Sequence, residues 1–318
     1  MGQHSICILG GNGFVGRHLS ARLVEEGHRV RVLSRHRQRG KDLLVLPTAE
    51  VVEADVHDPE ALKAQFADCD TVVNLVGILN ARDATGKDFY RAHAELPRKV
   101  VEACRAAGVG RLLHMSALGG DAAYGASHYQ RSKGEGENLV HNAHDLAVTS
   151  FRPSVIFGPG DSFLNRFAGL LKMSPLVFPL ACAGARFAPV YVKDVAEAYT
   201  RALDNRNTFG QRYDLCGPNA YTLQELVTYV ARLRHLRRWI IPLGDGPSKL
   251  MASVLEWAPG KPLTRDNVLS MQRDNVCDGP FPEVFGFEPT PLESVAPFYL
   301  GDAQDEFDAH RKRARREV

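Results

Sequence analysis

Short apolar runs alternate with amphipathic stretches along the chain as far as residue 151. The apolar runs have strand length, whereas the stretches between them repeat apolar residues at helical spacing. The predicted strands are 6–9, 29–33, 51–53, 71–76, 112–115 and 147–151, and the predicted helices are 14–26, 59–66, 89–107 and 129–141. Strands that alternate with helices predict right-handed parallel βαβ units, and therefore an α/β fold with a doubly wound parallel sheet.

The pattern loosens after residue 151, where Gly158-Pro159-Gly160 marks a turn out of the sheet. A strand at 191–192 and a helix at 194–203 predict a return to the sheet. A strand at 212–216 and a helix at 223–234 precede segments broken by Pro and Gly, which predict a smaller mixed lobe. We expect a sheet domain over 1–155 with 178–205 returning to it, a C-terminal lobe over 156–177 and 206–302, and a basic tail over 303–318.

A glycine-rich turn joins the first strand to the first helix, as Gly10-Gly11-Asn12-Gly13-Phe14-Val15-Gly16. In this context Gly10 permits a tight turn, Gly13 lets the backbone approach a pyrophosphate, and Gly16 lets the helix pack on the strand. The free N–H groups at the start of the helix attract phosphate. The motif predicts a Rossmann dinucleotide site; the alternative is a glycine turn in an unrelated α/β protein.

The end of the second strand bears on which dinucleotide binds. NAD-specific sites place an acidic residue about 20 residues beyond the glycines, where it binds the ribose 2′-hydroxyl. Here Ser34 stands at that place, Arg35 follows, and Arg37 and Arg39 lie in the next loop. A guanidinium and a hydroxyl suit a 2′-phosphate, which favours NADP(H) over NAD(H); a solvated basic loop is the alternative. Asp55, after the third strand, either binds an adenine amino group or caps a turn.

A tyrosine and a lysine lie one helical turn apart in the fourth predicted helix. Tyr129 and Lys133 share one face of that helix at this spacing. An ammonium group beside a phenol lowers the phenol pKa from about 10, so Tyr129 can exchange a proton with a substrate oxygen while hydride moves to or from a nicotinamide. Ser116, at the end of the preceding strand, is expected to hydrogen-bond the same oxygen. Without the glycine turn, such a pair would be interpreted as structural.

Taken together, these motifs resemble the extended short-chain dehydrogenases/reductases over about residues 5–205; Asn74-Leu75-Val76-Gly77, Phe151-Arg152-Pro153 and Val190-Tyr191-Val192-Lys193-Asp194-Val195-Ala196 add to the likeness. The resemblance implies that Val76–Gly77 and Pro153–Val155 line the nicotinamide and its ribose. The expected catalytic residues are Tyr129, Lys133 and Ser116, and no metal is expected. The expected cofactor residues are Gly10, Asn12, Gly13, Phe14, Val15, Gly16, Ser34, Arg35, Arg39, Asp55, Val56, Leu75, Val76, Gly77, Met115, Ser116, Tyr129, Lys133, Pro153, Ser154 and Val155.

A narrower resemblance is to the atypical subgroup related to the Rossmann-type accessory subunit of respiratory complex I. It rests on residues 74–79, 116–119 and 152–161, and residues 262–267 and 274–276 extend it into the C-terminal lobe. The subgroup implies tight NADPH binding, quinone-linked processes for some members, and a structural nucleotide in the complex I subunit. Asn74 replaces the His that is usual at that strand end in sugar-nucleotide epimerases.

Three functions follow from these observations. The first is an NADP(H)-dependent oxidoreductase that acts on a carbonyl or hydroxyl group and is linked to quinone or respiratory-chain processes. The second is a non-catalytic NADPH-binding protein of an assembly, or a redox sensor. The third and weaker alternative is an NAD-dependent sugar-nucleotide epimerase, which the missing acid and Asn74 disfavour. The expected partner is a small-molecule substrate, with isoprenoid or quinone-like compounds among the options, and the pattern makes no prediction of oligomeric state.

The C-terminal lobe contains apolar segments at 239–241 and 250–257, preceded by Arg232, Arg234, Arg237 and Arg238. We expect these segments to pack in the core of the lobe over the substrate cleft, because apolar stripes at helical spacing usually do. The alternative is peripheral contact with a membrane or an isoprenoid substrate, with the arginines on anionic headgroups.

Composition narrows the remaining choices. A net charge of +2 gives no reason to expect a nucleic-acid partner. Six cysteines without a C-x-x-C pair predict reduced, buried thiols rather than disulfides or a metal site. No uninterrupted apolar run reaches the length of about 18 residues that a transmembrane helix needs, and no cleavable leader is apparent. We therefore expect a cytoplasmic protein, with the inner face of a membrane as the alternative location.

Overall fold

The computed structural model describes residues 2–82 and 85–301, apart from the side chain of Arg39. The predicted basic tail over 303–318 lies outside the described residues. Two compact units divide the chain. The first comprises the chain up to Pro153 with Val192–Leu215 and Phe281–Phe287; the second comprises Ser154–Tyr191, Cys216–Pro280 and the described residues from Glu288. The chain therefore returns to the first unit at residue 192 rather than 178, and the first unit keeps residues up to 215.

The strands, in chain order, are β1 (Ser5–Leu9), β2 (Arg29–Ser34), β3 (Ala49–Glu53), β4 (Thr71–Asn74), β5 (Arg111–Met115), β6 (Ala147–Pro153), β7 (Ile156–Phe157), β8 (Val177–Leu180), β9 (Arg186–Phe187), β10 (Val190–Tyr191), β11 (Gln211–Leu215), β12 (Tyr221–Thr222) and β13 (Trp239–Pro242). Seven of them form the sheet of the first unit, in the order β11-β6-β5-β4-β1-β2-β3. Every neighbouring pair in that sheet is parallel. The predicted α/β fold with a parallel Rossmann sheet is confirmed.

The helices are α1 (Phe14–Glu25), α2 (Pro59–Phe66), α3 (Lys87–Tyr90), α4 (Leu96–Ala107), α5 (His128–His141), α6 (Leu164–Met173), α7 (Val192–Ala202), α8 (Leu223–Leu233), α9 (Asp245–Leu255), α10 (Arg265–Ser270) and α11 (Ala296–Leu300). Short 3-10 turns cover Arg37–Leu43, Arg206–Thr208, Glu283–Phe285 and Leu292–Ser294. The predicted helix at 89–107 is broken, because a π-helical turn at Arg91–Glu95 separates α3 from α4. No helix within residues 2–82 and 85–301 is long and apolar enough to cross a membrane.

The core of the first unit explains why the central strands are apolar throughout. All four residues of β4 and all five of β5 are buried, as expected for parallel strands that helices cover. Side chains from α2, α4 and α5 pack with β1, β4 and β5 in one cluster that includes Phe66, Leu96, Val100 and Val140. The helix α1 packs against α7. Polar side chains at the carboxyl ends of the strands are left to form a site.

The second unit contains three two-stranded ribbons, β10-β7, β12-β9 and β13-β8. The predicted strand at 191–192 is β10, which pairs with β7 in this unit. The core gathers Phe157, Leu164, Leu226, Val227 and Tyr299. The expectation that the segments 239–241 and 250–257 pack in this core is wrong for their largest side chains, because both tryptophans are exposed.

Cys216 and Cys277 form a disulfide, so the expectation of six reduced thiols is wrong for this pair. Both cysteines lie in the second unit, 61 residues apart, with Cα atoms separated by 6.0 Å. Ala188 holds their two segments together: its carbonyl oxygen accepts a hydrogen bond from Gly217 N (3.1 Å), and its N–H donates to Asn275 O (3.0 Å). Spacing along the sequence could not reveal this juxtaposition. Among the described cysteines, Cys7, Cys69, Cys104 and Cys182 are free thiols.

Candidate functional site

The glycine turn packs tightly against its own helix and the neighbouring loop. Gly10 has a φ of 78°, the left-handed region that favours glycine. A Cβ on Gly10 would lie 3.2 Å from the carbonyl carbon of Leu75, and a Cβ on Gly16 would lie 2.4 Å from Gly11 Cα. A Cβ on Gly11 would collide with Val32 at 2.8 Å, a constraint that the motif reading did not include. Close packing therefore requires glycine at three positions of this turn.

The N-terminus of α1 presents unsatisfied N–H groups at the end of β1. Its N-cap is Gly13, which is exposed and supplies no side-chain cap, and the next two residues, Phe14 and Val15, are half-buried. The first turn of a helix carries free N–H groups and a partial positive charge, which together bind phosphate. This end of α1 fits the pyrophosphate of a dinucleotide, because no side chain stands at Gly13 to obstruct it.

Ser34 is buried at the end of β2, and its hydroxyl already forms hydrogen bonds within the protein. Asn12 Nδ2 donates to Ser34 Oγ (2.9 Å), and Ser34 Oγ donates to the carbonyl oxygen of His36 (2.9 Å). Ser34 thereby joins the glycine turn to the loop that presents the exposed Arg35. The side chain of Arg39 lies outside the described residues. Glu53, the register partner of Ser34 on β3, was missed in the sequence; its carboxylate accepts from Arg37 N (3.3 Å).

The loop after β3 contains Asp55 and Val56. The Asp55 carboxylate is exposed and accepts a hydrogen bond from His57 N (3.0 Å), so it caps a turn. One carboxylate oxygen can cap the turn while the other remains open to a ligand. Val56 is buried in the core cluster with Leu9 and Leu33, which fixes the position of this loop.

The loop after β4 is shaped by Asn74. Its Oδ1 accepts from Val76 N (3.2 Å), and its amide nitrogen lies 3.4 Å from His114 Nδ1. Leu75 and Val76 are half-buried and Gly77 is exposed. A Cβ on Gly77 would lie 3.2 Å from the Lys133 ammonium. The absence of a side chain at residue 77 therefore leaves room directly over Lys133.

Lys133 is buried on α5 and donates to the carbonyl oxygen of Met115 at the end of β5 (3.0 Å). Burial lowers the pKa of its ammonium to about 8, and the carboxylate of Glu137 opposes that shift. An ammonium has three donors, and the bond to Met115 uses one of them. Near neutral pH the site thus holds a positive charge with donors left for a ribose hydroxyl or a phenol.

Tyr129 lies one turn before Lys133 and is half-buried. Its ring contacts the edge of His93, with centroids 5.5 Å apart, and that of Phe89 at 6.0 Å. Ser132 Oγ donates to the backbone carbonyl oxygen of Tyr129 (3.0 Å). These contacts fix the position of the Tyr129 ring on the same helix face as Lys133, as the spacing predicted.

His93 is a buried residue of this site that the sequence reading missed. Its Nε2 accepts from Ile78 N (3.0 Å), so the neutral imidazole carries its proton on Nδ1, 2.9 Å from Ser132 Oγ. Burial, with a smaller effect of Lys133, holds the pKa of His93 well below its ordinary value. The π-helical turn at Arg91–Glu95 brings His93 here, and such turns are frequent at functional sites. A neutral His93 thus connects the loop after β4 with α5.

Ser116 follows β5, and its buried hydroxyl has no hydrogen-bond partner at ordinary distance among the described residues. Burial raises the pKa of the nearby Glu137 carboxyl, but hydrogen bonding from Arg152, with a smaller contribution from the Ser116 hydroxyl, outweighs burial and lowers that pKa. Arg152 Nε donates to both Glu137 oxygens (3.0 and 2.9 Å), and Arg212 Nε lies 2.6 Å from Oε1. Because no hydrogen bond of ordinary length holds the Ser116 hydroxyl to Glu137, the hydroxyl can turn to a ligand, so Ser116 fits a ligand-contacting role.

The last three predicted residues belong to different units. Pro153 ends β6 in the first unit, where its carbonyl oxygen accepts from Leu118 N (3.0 Å). Ser154 and Val155 begin the second unit. There Ser154 Oγ donates to Asn275 O (2.8 Å), and Val155 N donates to Asn275 Oδ1 (3.0 Å). The hydroxyl of Ser154 is therefore bound within its own unit.

The first unit thus brings together an uncapped helix N-terminus, a basic loop, a buried ammonium, a phenol and a buried hydroxyl at the carboxyl ends of β1, β2, β4 and β5. Open α/β sheets bind their ligands at this edge. The residues fit a nicotinamide dinucleotide, with the glycine turn for the pyrophosphate and Lys133 for the ribose. Fold and site define the class as a Rossmann-type dinucleotide-binding protein.

Comparisons with known proteins give the family. The family model described as NAD dependent epimerase/dehydratase family matches residues 6–216. A mitochondrial protein of Rattus norvegicus, NADH dehydrogenase (ubiquinone) 1 alpha subcomplex subunit 9, is 30% identical over 298 residues, which cover 90% of this chain and 77% of that protein. Ceramide reductase of Caulobacter vibrioides is 34% identical over 194 residues, covering 60% and 58%. A solved structure, MoeE5 in complex with UDP-glucose and NAD, superposes with a TM-score of 0.71 at 20% identity, covering 95% and 99%.

The chain belongs to the NAD-dependent epimerase/dehydratase family. It is an NAD(P)-binding protein of the short-chain dehydrogenase/reductase type, similar both to the complex I subunit and to reductases. The resemblance found in the sequence, including its narrower form, is confirmed.

Proposed function

We propose that this protein is an NADP(H)-dependent oxidoreductase that interconverts a carbonyl and a hydroxyl group. When bound, the nicotinamide supplies or accepts the hydride. Tyr129 donates a proton to the substrate oxygen, or accepts one in the reverse direction, while Ser116 donates a hydrogen bond to the same oxygen. Lys133 binds the ribose and favours the phenolate of Tyr129 through its positive charge.

The observation that carries this proposal is the buried ammonium of Lys133. Lys133 follows Tyr129 by four residues on α5, and its ammonium lies next to Gly77. A buried ammonium is unfavourable unless hydrogen bonds and nearby charge compensate it. Met115 O supplies one hydrogen bond, and Glu137, four residues further along α5, supplies negative charge. Because residue 77 has no side chain, a bound ribose can approach the ammonium from that side.

The NADP(H) preference rests on the loop after β2. Arg35 is exposed beyond a buried Ser34, and its guanidinium is available to a 2′-phosphate. The hydroxyl of Ser34 already donates to His36 O, so Ser34 acts mainly by shaping the loop. Glu53 supports the NAD alternative, since a carboxylate on the adjacent strand could accept from a 2′-hydroxyl. We favour NADP(H) because Arg35 is exposed and Arg37 N already hydrogen-bonds one oxygen of Glu53.

The substrate class in this proposal is a long-chain carbonyl compound or a quinone-like molecule, at or near the inner face of a membrane. Two relatives support it by name: one is a ceramide reductase and the other a subunit of a ubiquinone-linked NADH dehydrogenase. The sugar-nucleotide epimerase alternative is weaker. The side chain of Asn74, at the end of β4, already contacts Val76 N and His114, which leaves it less available to a sugar substrate.

A second candidate is a non-catalytic protein that retains NADPH within an assembly. The similarity to the NADH dehydrogenase subunit, over 77% of that protein, favours it. In this case Lys133 and the glycine turn bind the nucleotide, whereas the phenol of Tyr129 does not react.

Replacing Tyr129 by Phe separates the two candidates. The phenol meets the substrate, so Tyr129→Phe should leave NADPH affinity nearly unchanged and lower single-turnover oxidation of NADPH by about 100-fold. Lys133→Met should weaken both, because it loses the ribose contact and the charge beside Tyr129. The measurements are stopped-flow oxidation of NADPH with panels of long-chain carbonyl compounds and quinones, and thermal shift with and without NADPH.

The matched control is Tyr124→Phe, which removes the same hydroxyl from an exposed tyrosine in the loop before α5. It should react as the wild type does. Activity that survives intact in Tyr129→Phe rules out this mechanism. Tight NADPH binding by the wild type with no turnover on any panel member favours the non-catalytic candidate.

A further inference from the structure

We infer that the second unit binds the surface of a bilayer that contains anionic phospholipid, through an exposed apolar patch. We define the patch by exposed large apolar side chains of the β8–β13 ribbon and of α9 with the turn after it: Val177, Trp239, Ile241, Leu250, Val254 and Trp257. Exposed apolar side chains that occur singly need no explanation, whereas a group rimmed by polar residues marks an interaction surface. This inference does not rest on the proposed chemistry.

The ribbon of β8 and β13 supplies one part of the patch. The strands are parallel, and Trp239 pairs with Val177. Because side chains alternate along a strand, Trp239 and Ile241 share a face, and Ile240 points to the other. Ile240 packs against the core cluster, whereas Trp239 is 77% exposed. The ribbon is therefore anchored by its inner face and presents an aromatic outer face.

The helix α9 supplies the other part. Leu250 and Val254 on α9, and Trp257 in the turn that follows it, are 69%, 64% and 89% exposed, whereas Ser248 and Ala252 on the opposite side of the helix are buried. Ser248 fixes the helix to the end of the ribbon, since its Oγ accepts from Cys182 N and donates to Leu243 O, both at 3.3 Å. An amphipathic helix of this kind inserts its apolar face at the boundary of headgroups and acyl chains.

The charges of the segment that contains most of the patch favour an anionic membrane surface as its partner. Residues 232–257 contain five basic residues, Arg232, Arg234, Arg237, Arg238 and Lys249, and two acidic ones, Asp245 and Glu256, so their formal net charge is +3. Lys172 adds a further exposed cation beside Met173. Glu256 already pairs with Arg265 (2.8 Å). A basic segment attracts anionic headgroups, and a cation that lies near the membrane surface contributes about fivefold in affinity.

The aromatic content fits a lipid interface better than a dry protein contact. Tryptophan concentrates at the boundary between headgroups and acyl chains, because one end of the indole is apolar and its N–H needs a polar partner. Both tryptophans of the chain, Trp239 and Trp257, lie in the patch. Tryptophan fluorescence therefore reports on this surface alone.

Vesicles test the inference with the full chain. We expect vesicles of phosphatidylcholine and phosphatidylglycerol to shift tryptophan emission to shorter wavelength and to carry the protein upward in a flotation gradient. Pure phosphatidylcholine vesicles, or high salt, should weaken binding by at least about tenfold. The double variant Leu250→Asp with Val254→Asp keeps both tryptophans and should also bind at least about tenfold less, since it places carboxylates on the apolar face.

The matched control is the Val45→Asp variant. Val45 is an exposed apolar residue of the first unit, so this variant should bind vesicles as the wild type does. Urea unfolding of each variant confirms that the fold is intact. Equal binding by the double variant and the wild type overturns the inference, as does an emission maximum that vesicles leave unchanged. Lipid-free association that increases with protein concentration and disappears in the double variant also overturns it, because a second copy would then cover the patch.

Discussion

The two units place their unusual residues in opposite ways. The first buries polar groups: His93, His114, Lys133 and Glu137 are all nearly inaccessible. The second exposes large apolar groups, of which Trp239 and Trp257 are the clearest. Buried polar groups and exposed apolar clusters both carry a free-energy cost, so each indicates a functional demand. In the first unit that demand is a polar site within a rigid sheet; in the second it is a surface for a partner.

The largest expected effect contrasts two glycines that both lie inside helices. A Cβ on Gly136 in α5 would lie 1.7 Å from the carbonyl oxygen of His93, whereas a Cβ on Gly169 in α6 would meet nothing within 4 Å. Gly136→Ala should lower the free energy of unfolding by about 3 kcal/mol or more, because backbone must move. Gly169→Ala should raise it by about 1 kcal/mol, through helix propensity.

Urea unfolding followed by circular dichroism measures both changes. The opposite signs are the informative result, since the two substitutions are chemically identical. Wild-type stability in Gly136→Ala would show that α5 does not pack directly on the π-helical turn, and the position of His93 beside Tyr129 would then be wrong.

The next largest effect is the pH dependence of the free energy of unfolding that the buried His114 causes. Burial, with a smaller effect of Lys133, lowers the pKa of His114 from its ordinary value of 6.5 to about 3. Between these values the unfolded chain binds a proton that the folded chain does not, so stability falls as the pH decreases below about 6.5. From pH 7 to pH 5 this one group should remove about 2 kcal/mol from the free energy of unfolding.

Urea unfolding at pH 7 and pH 5 checks this expectation in wild type, His114→Gln and His144→Gln. The first variant should lose about 2 kcal/mol of the pH dependence, whereas the second replaces an exposed histidine and should keep it. Equal pH dependence in all three proteins would mean that His114 is accessible to protons in the folded state.

Local patterns predicted the parts of the site that depend on neighbours in the sequence. The glycine turn and the Tyr129–Lys133 spacing are such patterns, because a strand, a turn and one helix face determine them. His93 depends on a π-helical turn and on contacts with Ile78 and Ser132 from other elements, and Glu53 depends on strand register. No local pattern encodes these contacts.

The second unit shows the same division. The disulfide joins two cysteines that are 61 residues apart, and Ala188 forms backbone hydrogen bonds with both of their segments. The apolar character of 239–241 and 250–257 was visible in the sequence, and their exposure was not. Hydrophobic spacing shows that a helix or strand has an apolar face, but the surrounding chain decides whether anything covers that face.

We propose that the first unit binds NADPH through the glycine turn and Arg35. Mass spectrometry of the nucleotide released from the purified protein, with calorimetric titration of the stripped protein by NADPH and NADH, tests it most directly. We expect NADPH or NADP⁺ to be released, and NADPH to bind more tightly than NADH. Arg35→Asp should weaken NADPH binding by about tenfold or more and leave NADH binding unchanged or tighter, since it replaces the phosphate partner with a repelling charge. Release of NAD(H) alone, or equal affinities before and after the substitution, would show that Arg35 does not bind a 2′-phosphate.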